Sequence, residues 1–235
     1  MKIVTSWDDG NPLDLKLAEI LSRNNIKATF YIPIYNSEGR AVLTKDQVRS
    51  IDSSFEIGSH THDHIYLPQL PIEKTVSQIE TGKFTLEDYV GHPVTGFCYP
   101  GGKYNNEIKK LLLNCKITHA RTVRNFYLDH GSDPFQIPTA IQFYPHHTAT
   151  YWANFLKQTD YLARISLFKK FAYGGSWIQI LYSVIEELMS TDKVFHIWGH
   201  SWEIEKLGLW DELDKLFEFI SALNPETYSV SELYE

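Results

Sequence analysis

The sequence predicts an α/β fold, a parallel sheet with crossover helices built from about seven β/α units. Two observations carry the prediction. Short β-branched or aromatic runs alternate along the chain with amphipathic stretches, and polar turn residues fall between them. Acidic and histidine residues then gather directly after the predicted strands. About seven units in 235 residues is the size of a (β/α) barrel slightly short of eight. Nothing reads as a linker, an internal repeat or a low-complexity tract, so residues 1–235 are taken as one domain.

Residues 2–6 (KIVTS) read as the first strand. Asn11 and Pro12 supply an N-cap and a proline at the first helical position, and Leu13, Leu17, Ile20 and Leu21 follow at helical spacing. Residues 28–32 (ATFYI) are a second strand, and Thr44 with Gln47 forms a capping box for a short helix. Residues 55–59 (FEIGS) are a third strand. Residues 70–89 are amphipathic, a pattern weakened by Gly82. Residues 96–99 are a fourth strand and 105–115 a helix. Strands are predicted over 118–123 and 135–142, helices over 161–173 and 177–189, and a buried strand over 194–198 (VFHIW). Trp210, Leu213, Leu216, Phe217 and Ile220 mark a last helix, and 228–230 is a closing strand or a loop.

Composition excludes several classes of function. Apolar residues make up 43%, too many for a disordered chain. The balance of 22 basic against 29 acidic residues gives −7, and no run of Lys or Arg offers nucleic acid or an anionic membrane a basic face. No apolar stretch reaches the roughly 18 residues of a membrane span. Two cysteines, Cys98 and Cys115, make no disulfide framework. The first residues lack the features of a secretory leader, so a cytoplasmic location is expected.

The chemistry is legible from position. Asp8 and Asp9 follow the first strand, and His60, His62 and His64 the third. Pro100-Gly101-Gly102 follows the fourth, and His200 follows VFHIW. In parallel β/α folds such residues meet on one face, at the strand C-termini. His60 and His64, at i and i+4, can point at one cation. With one carboxylate they make a two-His-one-carboxylate set with open positions, suited to zinc and also to cobalt, iron or manganese. His62 points away from that set. Adjacent carboxylates after a strand face different ways, so one is free to act as a base while the other binds metal.

The segments TSWDDG, SHTHDH, FCYPGG and HIWGHSWE together resemble the successive motifs of the NodB-homology polysaccharide deacetylases, carbohydrate esterase family 4. The resemblance implies a distorted (β/α) barrel, usually of seven strands, and metal-dependent removal of acetyl groups from N-acetylated sugars. By position, Asp8 corresponds to the catalytic base, Asp9, His60 and His64 to the metal ligands, and His200 to the general acid. The segment around Tyr99 and Pro100 corresponds to the one whose backbone N–H helps hold the oxyanion. The expected mechanism has a metal, most simply Zn2+, polarise the carbonyl and activate water. Asp8 accepts the water proton, metal and backbone N–H hold the oxyanion, and His200 protonates the leaving nitrogen. The expected partner is an N-acetylated carbohydrate, with neither nucleic acid nor membrane insertion.

Two departures stand out. The family's third motif places an arginine where this chain has Cys98, and a thiol cannot make a bidentate carboxylate contact. Arg121, at the end of the next strand, is the candidate replacement; a surface ion pair is the plain alternative. The fourth motif has no match. Trp152 and Trp177 are candidates for a sugar-stacking wall, with core packing the alternative for each. Glu203 or Asp63 is a candidate to orient His200 or a ligand histidine, and His146 and His147 to line the mouth of the site. Competing functions are an O-acetyl esterase or a cyclic-ureide amidohydrolase on the same barrel, and a non-catalytic sugar-binding module.

Overall fold

The computed structural model describes residues 1–234. Seven parallel strands form a curled sheet: β1 (Lys2–Asp8), β2 (Thr29–Ile32), β3 (Glu56–Ser59), β4 (Gly96–Cys98), β5 (His119–Arg121), β6 (Ile141–Gln142) and β7 (Val194–Gly199). Their order is β5-β4-β3-β2-β1-β7-β6, and β8 (Glu226–Tyr228) pairs with the first half of β1. The segment leading into β6 spans the two edges. Ile137 bridges Arg121, its N–H donating to the Ala120 carbonyl at 3.0 Å, and the Ala140 N–H donates to the His196 carbonyl at 2.9 Å. The strands are buried nearly throughout, as expected where both faces of a parallel sheet are covered.

Strand alternation sorts the side chains into an outer and an inner set. Ile3 and Trp7 of β1, Phe30 of β2 and Phe195 and Ile197 of β7 join the main core beneath the helices. Val4, Tyr31, Cys98 and Ile137 form a separate cluster inside the curl. Above it the Ser6 hydroxyl donates to His196 Nε2 at 2.8 Å, while Nδ1 donates to the Pro138 carbonyl at 3.2 Å. Burial pushes this imidazole down to about 3, so it is neutral. Asp8, two residues beyond Ser6, continues the inner set to the C-terminal rim. Gly58 belongs to the same packing, because a Cβ there would lie 2.4 Å from the Tyr31 ring.

The connections are largely those expected. Helix α1 (Asp14–Arg23) starts two residues later than predicted, with Asn11 Oδ1 accepting the Leu13 N–H at 3.1 Å in the turn before it. Helix α2 (Lys45–Asp52) carries the reciprocal Thr44–Gln47 capping box. Helices α3 (Ile72–Val90) and α4 (Asn106–Asn114) follow, the latter capped by Asn105. The expected strand over 135–142 reduces to β6 and one bridge, because Pro138 has no N–H to donate to a ladder.

Helix α5 (Thr148–Leu156) was not foreseen: its Thr- and aromatic-rich sequence has little helical periodicity. Helices α6 (Tyr161–Tyr173), α7 (Trp177–Leu188) and α9 (Trp210–Leu223) match expectation. Between β7 and α9 lies α8 (Ser201–Leu207), also unforeseen, its seven residues too short to show a period. After β8, the Val230 N–H turns onto Thr29 Oγ1 at 2.9 Å, so residues 228–230 end the strand rather than form it. No helix among the described residues is long and apolar enough to cross a membrane.

Candidate active site

The rim of the curl collects Asp8 from the end of β1, Asp9 directly after it, His60 and His64 from the β3 loop, Gly101 from the β4 loop, Val123 after β5 and His200 after β7. They line one cleft of about 190 Å³. Asp8 faces inward by strand alternation, whereas Asp9 takes a left-handed backbone with φ of 78° and turns its carboxylate the other way. The two carboxylates are thereby given different partners, as the sequence leads one to expect.

Asp9 faces the histidines. The His60 Nδ1–H donates to the Cys98 carbonyl at 2.7 Å, which leaves Nε2 lying 3.7 Å from Asp9 Oδ1. His64 Nε2 lies 3.1 Å from the same oxygen. The loop that presents both rings is tight rather than helical: Thr61 and His64 have φ of 67° and 53°. Left-handed backbone at three non-glycine site residues, Asp9, Thr61 and His64, is strain of the kind held at functional positions.

Helix α3 holds this loop down. The His62 N–H donates to the Gln78 carbonyl at 3.0 Å, and the Asp63 N–H to Gln78 Oε1 at 2.9 Å. Gly82 permits the approach, since a Cβ there would sit 2.8 Å from the Thr61 carbonyl carbon. The glycine that weakened the helical pattern therefore positions the histidines.

These residues fit a divalent cation. Asp9 Oδ1 is buried without a hydrogen-bond partner, while Oδ2 accepts the Trp202 indole N–H at 2.9 Å. Asp9, His60 and His64 bring one donor atom each within 4.8 Å of one another. Burial pushes His60 down to about 4, leaving its Nε2 lone pair free; burial pushes Asp9 up, but His64, His200 and His60 outweigh it and hold the carboxyl well below its usual range. A second grouping, Asp8, His60 and Cys98, is equally compact but chemically poorer. Burial drives the Cys98 thiol well up and keeps it protonated, and Asp8 is committed to Arg121.

Arg121 is fully buried, and its Nη2 donates to Asp8 Oδ1. The guanidinium lies 4.8 Å from the Trp198 ring and 5.4 Å from the Tyr31 ring. It reaches the Asp8 carboxylate from the strand next to the one that carries Cys98. Burial alone would raise Asp8, but Arg121, with His60 and His200, holds it below its usual value.

On the far wall, His200 Nδ1 donates to Glu203 Oε2 at 2.6 Å, and Gln142 Nε2 donates to the same oxygen at 2.8 Å. Glu203 is one turn along α8 from His200, and with Asp9 and Asp8 it raises the imidazole to about 9 against the opposing effect of burial. His200 therefore carries a proton at neutral pH. Replacing Glu203 by Gln removes the charge that keeps it there. In a pH profile of kcat/KM, the alkaline limb is expected near 9 in the wild type and lower in Glu203→Gln. Activity should then fall more at pH 8 than at pH 6. An unmoved limb would remove His200 from the acid role.

Other candidates sit elsewhere. Tyr99 is buried, stacks on Tyr104 at 4.7 Å, and spends its backbone N–H on the Arg121 carbonyl at 3.3 Å. It and the buried Pro100 shape the turn, and Gly101 is the residue of that segment that lines the cleft. Trp177 packs edge-on against Phe143, and Trp152 against Phe168; neither lines the cleft. The aromatic residues that line the cleft are instead Tyr66, Trp198 and Trp202, the last two inside the motif read for His200 and Glu203. Asp63 pairs with His62, and His146 reaches Gln142 rather than the cleft. No spacing rule announced Arg40 at the rim, whose guanidinium lies 4.1 Å from the Trp202 ring.

The fold is a curled parallel β/α barrel with carboxylate and imidazole side chains gathered at its strand C-termini. Within it, residues 1–120 match the model of the polysaccharide deacetylase family, and the chain belongs to that family. It is 29% identical over 110 residues to a peptidoglycan-N-acetylglucosamine deacetylase of Bacillus cereus, covering 46% of this chain and 50% of the relative. It is 27% identical over 95 residues to a probable 4-deoxy-4-formamido-L-arabinose-phosphoundecaprenol deformylase of Wigglesworthia glossinidia brevipalpis, covering 39% of this chain and 30% of the relative. The matches thus span half or less of the curated relatives' own length. The fold is similar to the chitin deacetylase of Colletotrichum lindemuthianum, with a TM-score of 0.62, 16% identity, and 99% and 86% of the two chains covered. It is also similar to a xylanase-associated domain of the same class from the hindgut metagenome of Trinervitermes trinervoides (0.62, 15%, 99% and 89%).

Proposed function

We propose that the protein is a metal-dependent hydrolase that removes the acetyl group from an N-acetylated amino sugar. The observation that carries this reading is the orphaned Asp9 Oδ1 facing His60 and His64, with an ionised Asp8 on one side and a protonated His200 on the other. Family membership supports the same chemistry.

A divalent cation held by Asp9, His60 and His64 would supply Lewis-acid polarisation of the amide carbonyl. The remaining chemistry belongs to the chain. Asp8, fixed by Arg121, accepts a proton from the attacking water at its carboxylate. Gly101 lines the cleft where a backbone donor can meet the developing oxyanion. His200, its Nδ1 held by Glu203, presents Nε2–H to the departing nitrogen. Tyr66, Trp198 and Trp202 offer apolar faces to a sugar ring. An amine must be protonated to leave, whereas an alkoxide leaves more readily, so a histidine kept charged near neutrality favours the amide over an O-acetyl ester.

The test is acetate release from N-acetylated sugars, with O-acetylated sugars and cyclic ureides in parallel. Turnover of the N-acetylated set alone is expected. Turnover of esters or ureides alone would replace this reading, and ligand binding with no turnover of any substrate would favour a sugar-binding module.

A further inference from the structure

A second hollow of about 270 Å³ adjoins the cleft, and Gly101 and Val123 line both. The two differ in chemistry. The cleft is lined by Asp8, Asp9 and Glu38, whereas Lys103, Arg124 and Lys157 line the neighbouring hollow together with the amides of Asn125, Asn154 and Gln158, and no carboxylate does. Its donors are left available by their own bonding. Arg124 is paired with Asp160 at 3.0 Å and with the Tyr127 hydroxyl, so the cations of the hollow with no carboxylate partner among the described residues are Lys103 and Lys157. The Asn125 carbonyl oxygen accepts from Thr139 at 2.8 Å and Trp198 at 3.3 Å, so the end of that amide left to the hollow is its NH2. Lys157 Nζ bonds only to the neutral Asn154 Oδ1, at 3.1 Å.

We propose that this hollow is a phosphate subsite, binding the phosphate of a glycosyl phosphate whose acylamino group reaches the Asp9–His60–His64 cleft. The proposal rests on the hydrolase reading above and names the substrate class for it. A phosphate presents several acceptor oxygens and delocalised charge, which suits a wall of ammonium and amide donors. A neutral oligosaccharide would gain little from two lysines that have no carboxylate partner among the described residues. The wall shared through Gly101 and Val123 makes one ligand spanning both hollows the economical occupant. Such a phosphate has two sources, a nucleotide-linked or a lipid-linked sugar, and both present the same group to these residues.

The experiment is calorimetric binding to the full chain of deacylated ligands that cannot turn over: glucosamine 1-phosphate, methyl glucosaminide, muramic acid and inorganic phosphate. Glucosamine 1-phosphate is expected to bind at least about tenfold more tightly than methyl glucosaminide at low salt, with the ratio shrinking as salt rises. In Lys103→Gln/Lys157→Gln, both substitutions at exposed positions, the ratio should fall towards one.

Equal affinities, or a preference that survives the double variant, would overturn the subsite. Inorganic phosphate binding as tightly as the sugar phosphate would also overturn it, by separating the anion from the sugar. Muramic acid binding best would reassign the hollow to a carboxylate. UDP-glucosamine and a short prenyl-phosphate glucosamine form the last arms, and the tighter of the two identifies the source. None of these readouts needs turnover, so the subsite and the hydrolase reading fail separately.

Discussion

Asp8→Asn is expected to lower kcat for acetate release by on the order of 10³-fold while leaving bound metal at wild-type stoichiometry. Asparagine keeps the size of the side chain at the rim of β1 but cannot accept the proton of an attacking water. The residues proposed to hold the cation, Asp9, His60 and His64, are untouched, because Asp9 turns away from Asp8 through its left-handed backbone. The measurement pairs an acetate assay with elemental analysis of the same preparation. A variant that keeps activity within tenfold of wild type would exclude Asp8 as the base. One that loses its metal would mean that Asp8, not Asp9, is the ligand.

Arg121→Gln is the second large effect, and it acts on stability and on pH dependence together. The guanidinium is wholly buried, and its removal strands the Asp8 carboxylate inside the barrel without its counter-charge. Breaking one side of a buried pair costs about 3–5 kcal/mol, to be read from denaturant unfolding. The sign of the pH effect follows from the same pair. With Asp8 held below the unfolded carboxylate value, the ion pair contributes stability above that value and loses it as pH falls through the depressed one. Without Arg121, burial is opposed only by the histidines, so Asp8 rises. The acid limb of the rate profile should then move up, and stability should stop declining on acidification through this group. Unchanged stability with an unchanged acid limb would contradict the assignment of Arg121 as the partner of Asp8.

Much of this site was legible because parallel β/α topology brings the residues after each strand to one rim. Asp8, Asp9, His60, His64 and His200 needed only strand ends and spacing. Arg121 was legible by a subtler route: a missing arginine at Cys98 asks for a substitute, and the next strand offers one on the inward face. Glu203 was one of two candidates, and only the start of α8 directly after His200 brings it within reach.

The aromatic wall was misread for a physical reason. A tryptophan on an amphipathic stretch, such as Trp177, has the same sequence signature whether it packs on a helix neighbour or faces a ligand, and here Phe143 takes it. Trp202 was hidden by its neighbour, since nothing in the sequence says that an indole N–H will hold the second oxygen of Asp9. Gly82 was read as a helix defect because the loop that packs on it is distant in sequence.

The proposed activity requires a cation held by Asp9, His60 and His64. The most direct test is elemental mass spectrometry on protein reloaded with zinc and desalted, beside His60→Ala and Asp9→Ala prepared identically. About one equivalent per chain in the wild type and almost none in either variant is the predicted result. A wild type that retains no metal, or variants that bind as much as the wild type, would contradict it.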